Sequence, residues 1–298
     1  MSRDGPGLLV RDLQRGDEAL STMADAVRAA DPDILVLTKI DYDAGGLAMR
    51  AFADLLSPAE YPFLAPLRPN EGIPTGWDLD GDGKDSGPGD AQGYGRFPGQ
   101  GGLGVISRWP IDVSRLRSFS EVLWKDLPGT HMRESDPGYH VQRLSSGGHW
   151  VVPVVVAQDA QPLWLLIGHS APPIFDGPED RNGRRNLDEL HLWTEILNGT
   201  YGPVLGSRVI FTANTNLDPD RGDGYRTAMS DFIETHDFQD PLPDEPTAMW
   251  KKPGPMRVSY VLPSQGSAVM DARVWPLLDG MTHRLITVDI ALPDAPVP

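Results

Sequence analysis

At 298 residues, with 40% hydrophobic and 23% charged side chains, the chain has the composition of a folded protein with a substantial core, not of a disordered one. Its formal net charge of -16 works against non-specific binding to nucleic acid or to an anionic membrane, because both would be repelled across a Debye length, and leaves open only a local basic patch. Zero cysteines exclude disulfides and thiolate metal sites, and no apolar run approaches the roughly 18 residues of a membrane span.

No Ser/Gly linker, repeat or low-complexity tract interrupts the chain, so residues 1–298 read as one domain. Residues 1–15 do not have the pattern of a signal peptide. Leu20, Met23, Ala24, Val27 and Ala30 recur at helical spacing, which predicts a helix over 17–30 stopped by Asp31-Pro32-Asp33. The run Ile34-Leu35-Val36-Leu37 reads as a buried strand entering polar Thr38-Lys39. Helical character returns over 47–56, and 61–65 is a weaker strand. A Gly/Pro/Asp-rich loop occupies 69–101, after which 103–106 and 113–116 are expected to form a strand pair around Trp109-Pro110. Further strands are expected at 150–157, 163–168, 208–212, 257–262, 269–274 and 284–290. Residues 185–197 form a helix with Leu187, Leu190, Trp193 and Leu197 on one face. This pattern implies an α+β class: two packed, mostly antiparallel sheets covered by helices in a four-layer α/β/β/α sandwich. The chemistry is then expected on loops at one rim, where strand ends converge.

The segment Gly168-His169-Ser170-Ala171-Pro172-Pro173-Ile174-Phe175-Asp176-Gly177-Pro178-Glu179-Asp180-Arg181-Asn182-Gly183-Arg184-Arg185-Asn186 joins a strand ending in histidine to a loop crowded with charges and prolines. Together with Thr38-Lys39-Ile40-Asp41, the glycine turn at 99–104, Asn214-Thr215-Asn216, Arg257-Val258-Ser259-Tyr260 and Thr282-His283-Arg284, its order along the chain resembles the endonuclease/exonuclease/phosphatase superfamily, whose fold is that of pancreatic deoxyribonuclease. The likeness runs from about Ser2 to the end, and its long Pro/Asp/Arg loop resembles a bacterial branch. By this resemblance the family's first strand falls before Ser2 and is expected to be lacking.

The resemblance implies metal-dependent phosphoester hydrolysis, and it also implies which positions of this chain depart from that chemistry. Lys39 stands where the family has a metal-binding glutamate. Asn214 replaces the aspartate that orients and deprotonates water, Ser259 that of Arg-Val-Asp-Tyr, and Thr282 that of Ser-Asp-His. His169, His283 and Asn216 are retained. The expectation is a protein that keeps the fold but loses the hydrolase, takes no magnesium or manganese, and retains a pocket for a phosphate-containing small molecule. Two alternatives remain open. One is an active phosphoesterase that uses the two histidines and recruits Asp41, Asp43 or Asp218 to hold the metal. The other is a protein-interaction module acting through loop 172–186.

Arg181, Arg184 and Arg185 near a helix start could cradle a phosphate, or pair with Asp176, Glu179 and Asp180 of their own loop. Gln100 could support the first histidine or be structural. Asp78-Leu79-Asp80-Gly81-Asp82-Gly83 matches half of a calcium loop. Position twelve is Gly89, so the readings are a structural calcium held by Asp78, Asp80 and Asp82 or a solvated acidic turn. Cytoplasmic location is expected if the chain naturally starts at Met1, and export if a signal precedes it.

Overall fold

A computed structural model describes residues 1–57, 59–156 and 161–292. In chain order its elements are α1 (Leu8–Gln14), α2 (Glu18–Ala30), β1 (Ile34–Ile40), α3 (Leu47–Leu56), β2 (Phe63–Leu67), β3 (Gly102–Ser107) and β4 (Arg117–Ser118). There follow β5 (Gly148–Val154), β6 (Leu163–His169), α4 (Arg181–Leu197), β7 (Val209–Asn214), α5 (Thr227–Thr235), β8 (Ala248–Met249), β9 (Pro255–Met256), β10 (Ser259–Pro263), β11 (Ala268–Val274) and β12 (Ile286–Ala291).

Helix α2 shows how local signals place an element. The Leu20 N–H donates to the Asp17 carboxylate at 3.1 Å as an N-cap, and the helix stops at Asp31, whose φ is 48°, just before Pro32. Its buried stripe is Leu20, Ala24 and Val27. With Leu9 of α1 and Met49 and Phe52 of α3, this stripe covers the outer face of the small sheet, ordered β1-β3-β2 and wholly antiparallel. All six residues of β3 are buried because it is the middle strand between two layers. A Cβ on Gly104 would lie 1.9 Å from Met49 Cε, so glycine there is what lets α3 seat its methionine.

The inner face of that sheet meets a five-stranded sheet ordered β10-β7-β6-β5-β4. Leu67, Leu103 and Val105 from one side interlock with Val152, Leu165 and Ile167 from the other, each side chain stabilising by roughly 1.5–3 kcal/mol when fully buried. Helices α4 and α5 close the far face through Leu192, Trp193, Ile196, Met229 and Phe232 against Phe211 and Tyr260. In the large sheet only β6 and β7 run parallel. The hairpins β11-β12 and β8-β9 form two small sheets of their own. The four-layer α/β/β/α sandwich is therefore the observed fold.

Several local expectations need correction. No strand forms over 113–116; the chain turns there, and β3 pairs with β1 and β2 while the short β4 pairs with β5. The Asp112 carboxylate accepts from the Ser114 N–H and hydroxyl and from Arg115, holding a turn where a strand paired around Trp109-Pro110 was expected. Helix α4 starts four residues earlier than expected, and α1 and α5 escaped the periodicity reading because each is short. The expected 150–157 strand is observed as β5, and its residue 157 lies outside the described residues.

Candidate functional site

Strand pairing brings three of the sequence-predicted positions onto one line. β6 and β7 run in parallel with His169 beside Asn214, and antiparallel β10 places Ser259 opposite Asn214. Laterally paired residues project to the same side of a sheet, so the three side chains share one face at one rim. His283 arrives from the segment before β12, bridged to Ala248, and its Nδ1 sits 3.4 Å from Ser259 Oγ. Its ring meets Trp250 edge-on at 5.4 Å. The neighbouring Thr282 carbonyl accepts from the Met249 N–H at 2.8 Å. Asn216 holds a left-handed φ of 54° and donates through Nδ2 to the Ser170 carbonyl at 2.7 Å.

Lys39 joins this group by a backbone irregularity. The β1-β3 ladder slips between Thr38 and Ile40, and Lys39 adopts a φ of 59° in the bulge. A lysine has no intrinsic preference for that conformation, and such residues concentrate where a side chain must be re-aimed. The ammonium contacts the carboxylate of Glu71, a residue of the long loop that the sequence reading did not single out. Glu71 is buried, and its Oε1 lies 3.7 Å from His169 Nδ1. Gly101, with a φ of 64°, is the floor of the pair: a Cβ there would lie 2.2 Å from Glu71 Oε2 and 3.0 Å from Lys39 Cδ.

Burial sets the protonation of this cluster. It pushes Glu71 up to about 7, with Lys39 pulling the other way and Asp41 and Glu189 adding to the rise. It pushes His169 well below the ordinary histidine value, helped by the charges of Lys39 and His283, and it lowers His283 in the same direction, again with Lys39. Both imidazoles are therefore neutral at pH 7, and the Lys39 ammonium supplies positive charge at this rim.

The carboxylates considered for recruitment are committed elsewhere. Asp41 accepts from the Ser2 hydroxyl and from the N–H groups of Arg3 and Gly101. Asp43 accepts from the N–H groups of Leu47 and Ala48 at the start of α3. Asp218 accepts from those of Asp220, Arg221 and Arg257. Glu189 on α4, also missed, is fully buried and binds the Ser146 N–H and hydroxyl and the Ala171 N–H, tying the strand-end loops to the helix. No signal in helical spacing marked Glu71 or Glu189; only a fold that buries them makes them stand out.

The three arginines face away from this rim into structure. Arg184 forms a two-pronged pair with Asp136 at 2.8 and 2.9 Å and also reaches the His131 carbonyl. Arg185 donates to the carbonyls of Leu144, Gln92 and Arg143, and Arg181 to that of Pro137 and to the Gln142 side chain. Most of their partners are thus distant loop segments; from their own loop the Glu179 carbonyl accepts from Arg184 Nε at 3.3 Å, while among the described residues none of the three forms an ion pair with the carboxylates of Asp176, Glu179 or Asp180. Gln100 is structural in the same sense, accepting from the Arg96 N–H and donating to the Arg3 carbonyl. Asp78, Asp80 and Asp82 do come together, exposed, and are the group among the described residues whose oxygens could surround a cation. They also accept from backbone N–H groups of their own turn, at Gly81, Asp82, Gly83 and Lys84.

The sequence matches the model of the Endonuclease/Exonuclease/phosphatase family over residues 9–286. A comparison with curated proteins finds no match. Among solved structures, the fold is similar to an endonuclease/exonuclease/phosphatase from Beutenbergia cavernae DSM 12333, at 18% identity over 94% of this chain and 67% of that one, with a TM-score of 0.61. It is also similar to the human Nocturnin catalytic domain with bound sulfate anion, at 14% identity over 92% and 86%, TM-score 0.54. A family protein from Leptotrichia buccalis C-1013-b matches at 14% identity over 92% and 93%, TM-score 0.53. At such identities the structural likeness speaks for the fold, while the family match spans nearly the whole chain. The chain belongs to the endonuclease/exonuclease/phosphatase family.

Proposed function

We propose that this family member binds phosphate-type anions at the Lys39, His169 and His283 rim and does not carry out metal-dependent hydrolysis. The observation that carries the reading is the Lys39 ammonium in contact with buried Glu71. Magnesium and manganese are held by carboxylate and other oxygen ligands. Here the carboxylate at hand is neutralised by an ammonium, which repels a dication, and Asp41, Asp43 and Asp218 each already accept two or three hydrogen bonds from nearby donors. These residues do not fit a divalent-metal centre.

Water activation meets the same difficulty. Asn214 and Ser259 stand side by side on β7 and β10, and neither an amide nor a hydroxyl removes a proton from water at neutral pH. Loss of a general base by itself commonly costs ~100-fold to 10,000-fold in rate. What the rim retains is suited to binding: the Lys39 cation, two neutral imidazoles able to donate, and the Asn214 and Asn216 amides nearby. The human Nocturnin domain, which shares the fold, carries a bound sulfate anion.

The test is calorimetry with magnesium, manganese and inorganic phosphate, beside hydrolysis of bis-p-nitrophenyl phosphate. The comparison protein carries Lys39→Glu, Asn214→Asp, Ser259→Asp and Thr282→Asp. The expected outcome is native protein that binds phosphate but neither metal and turns nothing over, with metal affinity appearing in the quadruple variant. Metal-stimulated turnover by the native chain overturns the proposal.

A further inference from the structure

The anion site just proposed already holds an anion of its own. Glu71 stands on the charge that an incoming ligand needs, and the glycine at position 101 is what leaves room for it there. A second observation points to a ligand independently. His169 is 6% exposed, and its Nδ1 has no hydrogen-bond partner among the described residues. The nearest carboxylate oxygen, on Glu71, is 3.7 Å away, beyond hydrogen-bond reach. A buried ring nitrogen left unpaired costs stability unless something fills it. The Lys39 side chain is 41% exposed while that of Glu71 is 7% exposed, so solvent reaches the ammonium and leaves the carboxylate behind it.

We infer that Glu71 is a resident anion that holds this site closed: a phosphate-type ligand gains Lys39 and the free nitrogen of His169 only by taking the place of the Glu71 carboxylate. The inference rests on the anion-binding reading. A carboxylate removed from its ammonium but still buried takes up a proton, because burial already favours its neutral form. The charged and titratable groups facing it are Lys39 from β1, Asp41 just after that strand, His169 from β6 and Glu189 from α4. Ligand binding is therefore coupled to uptake of up to one proton from solvent.

Sulfate is the appropriate probe because it has no titrating proton near neutral pH, so any proton taken up goes to the protein. Calorimetry at pH 8 in buffers of different ionisation enthalpy would compare the native chain with Glu71→Gln, Glu71→Ala, Asp41→Asn and Lys39→Met. The expected result is sulfate affinity at least ~10-fold higher in both Glu71 variants, as freeing one contact charge implies. Proton uptake is expected in the native protein and not in those variants. Asp41→Asn, which removes an equal charge without freeing Lys39, is expected to change affinity by less than ~3-fold. If native protein binds sulfate, Lys39→Met abolishes binding and the Glu71 variants match native, the resident-anion inference fails alone. An equal gain in Asp41→Asn also overturns it, in favour of a general field effect. Binding indifferent to Lys39→Met, or no binding by native and Glu71 variants alike, removes the anion site itself and the inference with it.

Discussion

His169 Nδ1 lies 3.7 Å from Glu71 Oε1, with the Lys39 ammonium on the same carboxylate. A histidine at the end of β6, a glutamate from the long loop and a lysine in the β1 bulge thus meet at one point, where the histidine and glutamate are buried and the lysine is partly exposed. Three groups whose charges depend on one another set how this rim responds to pH, packing and ions.

The pH dependence of stability follows from Glu71. Its ordinary value of 4.5 rises to about 7 in the folded protein, so between those values the folded state keeps a proton that the unfolded chain has released. Glu71's contribution is complete below 4.5 and is lost as pH rises through about 7. His169 and His283 act with the opposite sign: lowered by burial, they contribute stability above the ordinary 6.5 that is lost as pH falls below it. Urea unfolding across this range should show the native-minus-Glu71→Gln difference declining as pH rises. A difference independent of pH contradicts the assignment.

Gly101→Ala should break the pair sterically. The new methyl would sit 2.2 Å from Glu71 Oε2 at a backbone φ of 64°, where L-residues are strained. We expect a loss of about 1–3 kcal/mol from strain and displacement together, read from denaturant midpoints. A variant as stable as native would mean that the carboxylate moves aside freely.

Lys39→Glu replaces the ion pair by two carboxylates in contact, one of them buried. The prediction is a lower melting temperature without added metal and a recovery with manganese that exceeds any shift of the native protein. Equal responses of the two proteins would argue that the cation binds elsewhere, for instance at Asp78, Asp80 and Asp82.

Away from the rim, Asp188 is the anchor between α4 and the segment at 124–131. Its fully buried carboxylate accepts from Trp124 Nε1 at 2.6 Å, the His131 N–H at 2.7 Å and Thr130 Oγ1 at 3.2 Å, and its other oxygen lies 2.6 Å from His131 Nδ1. Asp188→Ala strands the buried Trp124 indole N–H, while half-exposed His131 can turn to water and Thr130 keeps the Trp124 carbonyl, and should cost about 1–3 kcal/mol in chemical unfolding. A cost below about 1 kcal/mol would show that water replaces the carboxylate.

Periodicity and capping sufficed where an element is made by its own residues. Helix α2 announces itself by Leu20, Ala24 and Val27 between Asp17 and Asp31, and the core strands by short apolar runs. The turn at 113–116 was misread because Val113 and Leu116 carry apolar side chains into an Asp112-held loop, and local pattern cannot see that no strand is there to pair with it.

By itself the sequence determined the layers of the sandwich, the order of the rim segments and which residue types occupy His169, Asn214, Ser259 and His283, since these depend on short-range spacing and on motif order. Only the tertiary structure decided that Lys39 meets Glu71 across 32 residues, and that Arg181, Arg184 and Arg185 turn inward to distant loops while Asp41, Asp43 and Asp218 serve backbone donors. The physical reason is that a charged side chain's role is set by what burial leaves within reach to neutralise it, and that neighbourhood exists only once the two sheets have packed.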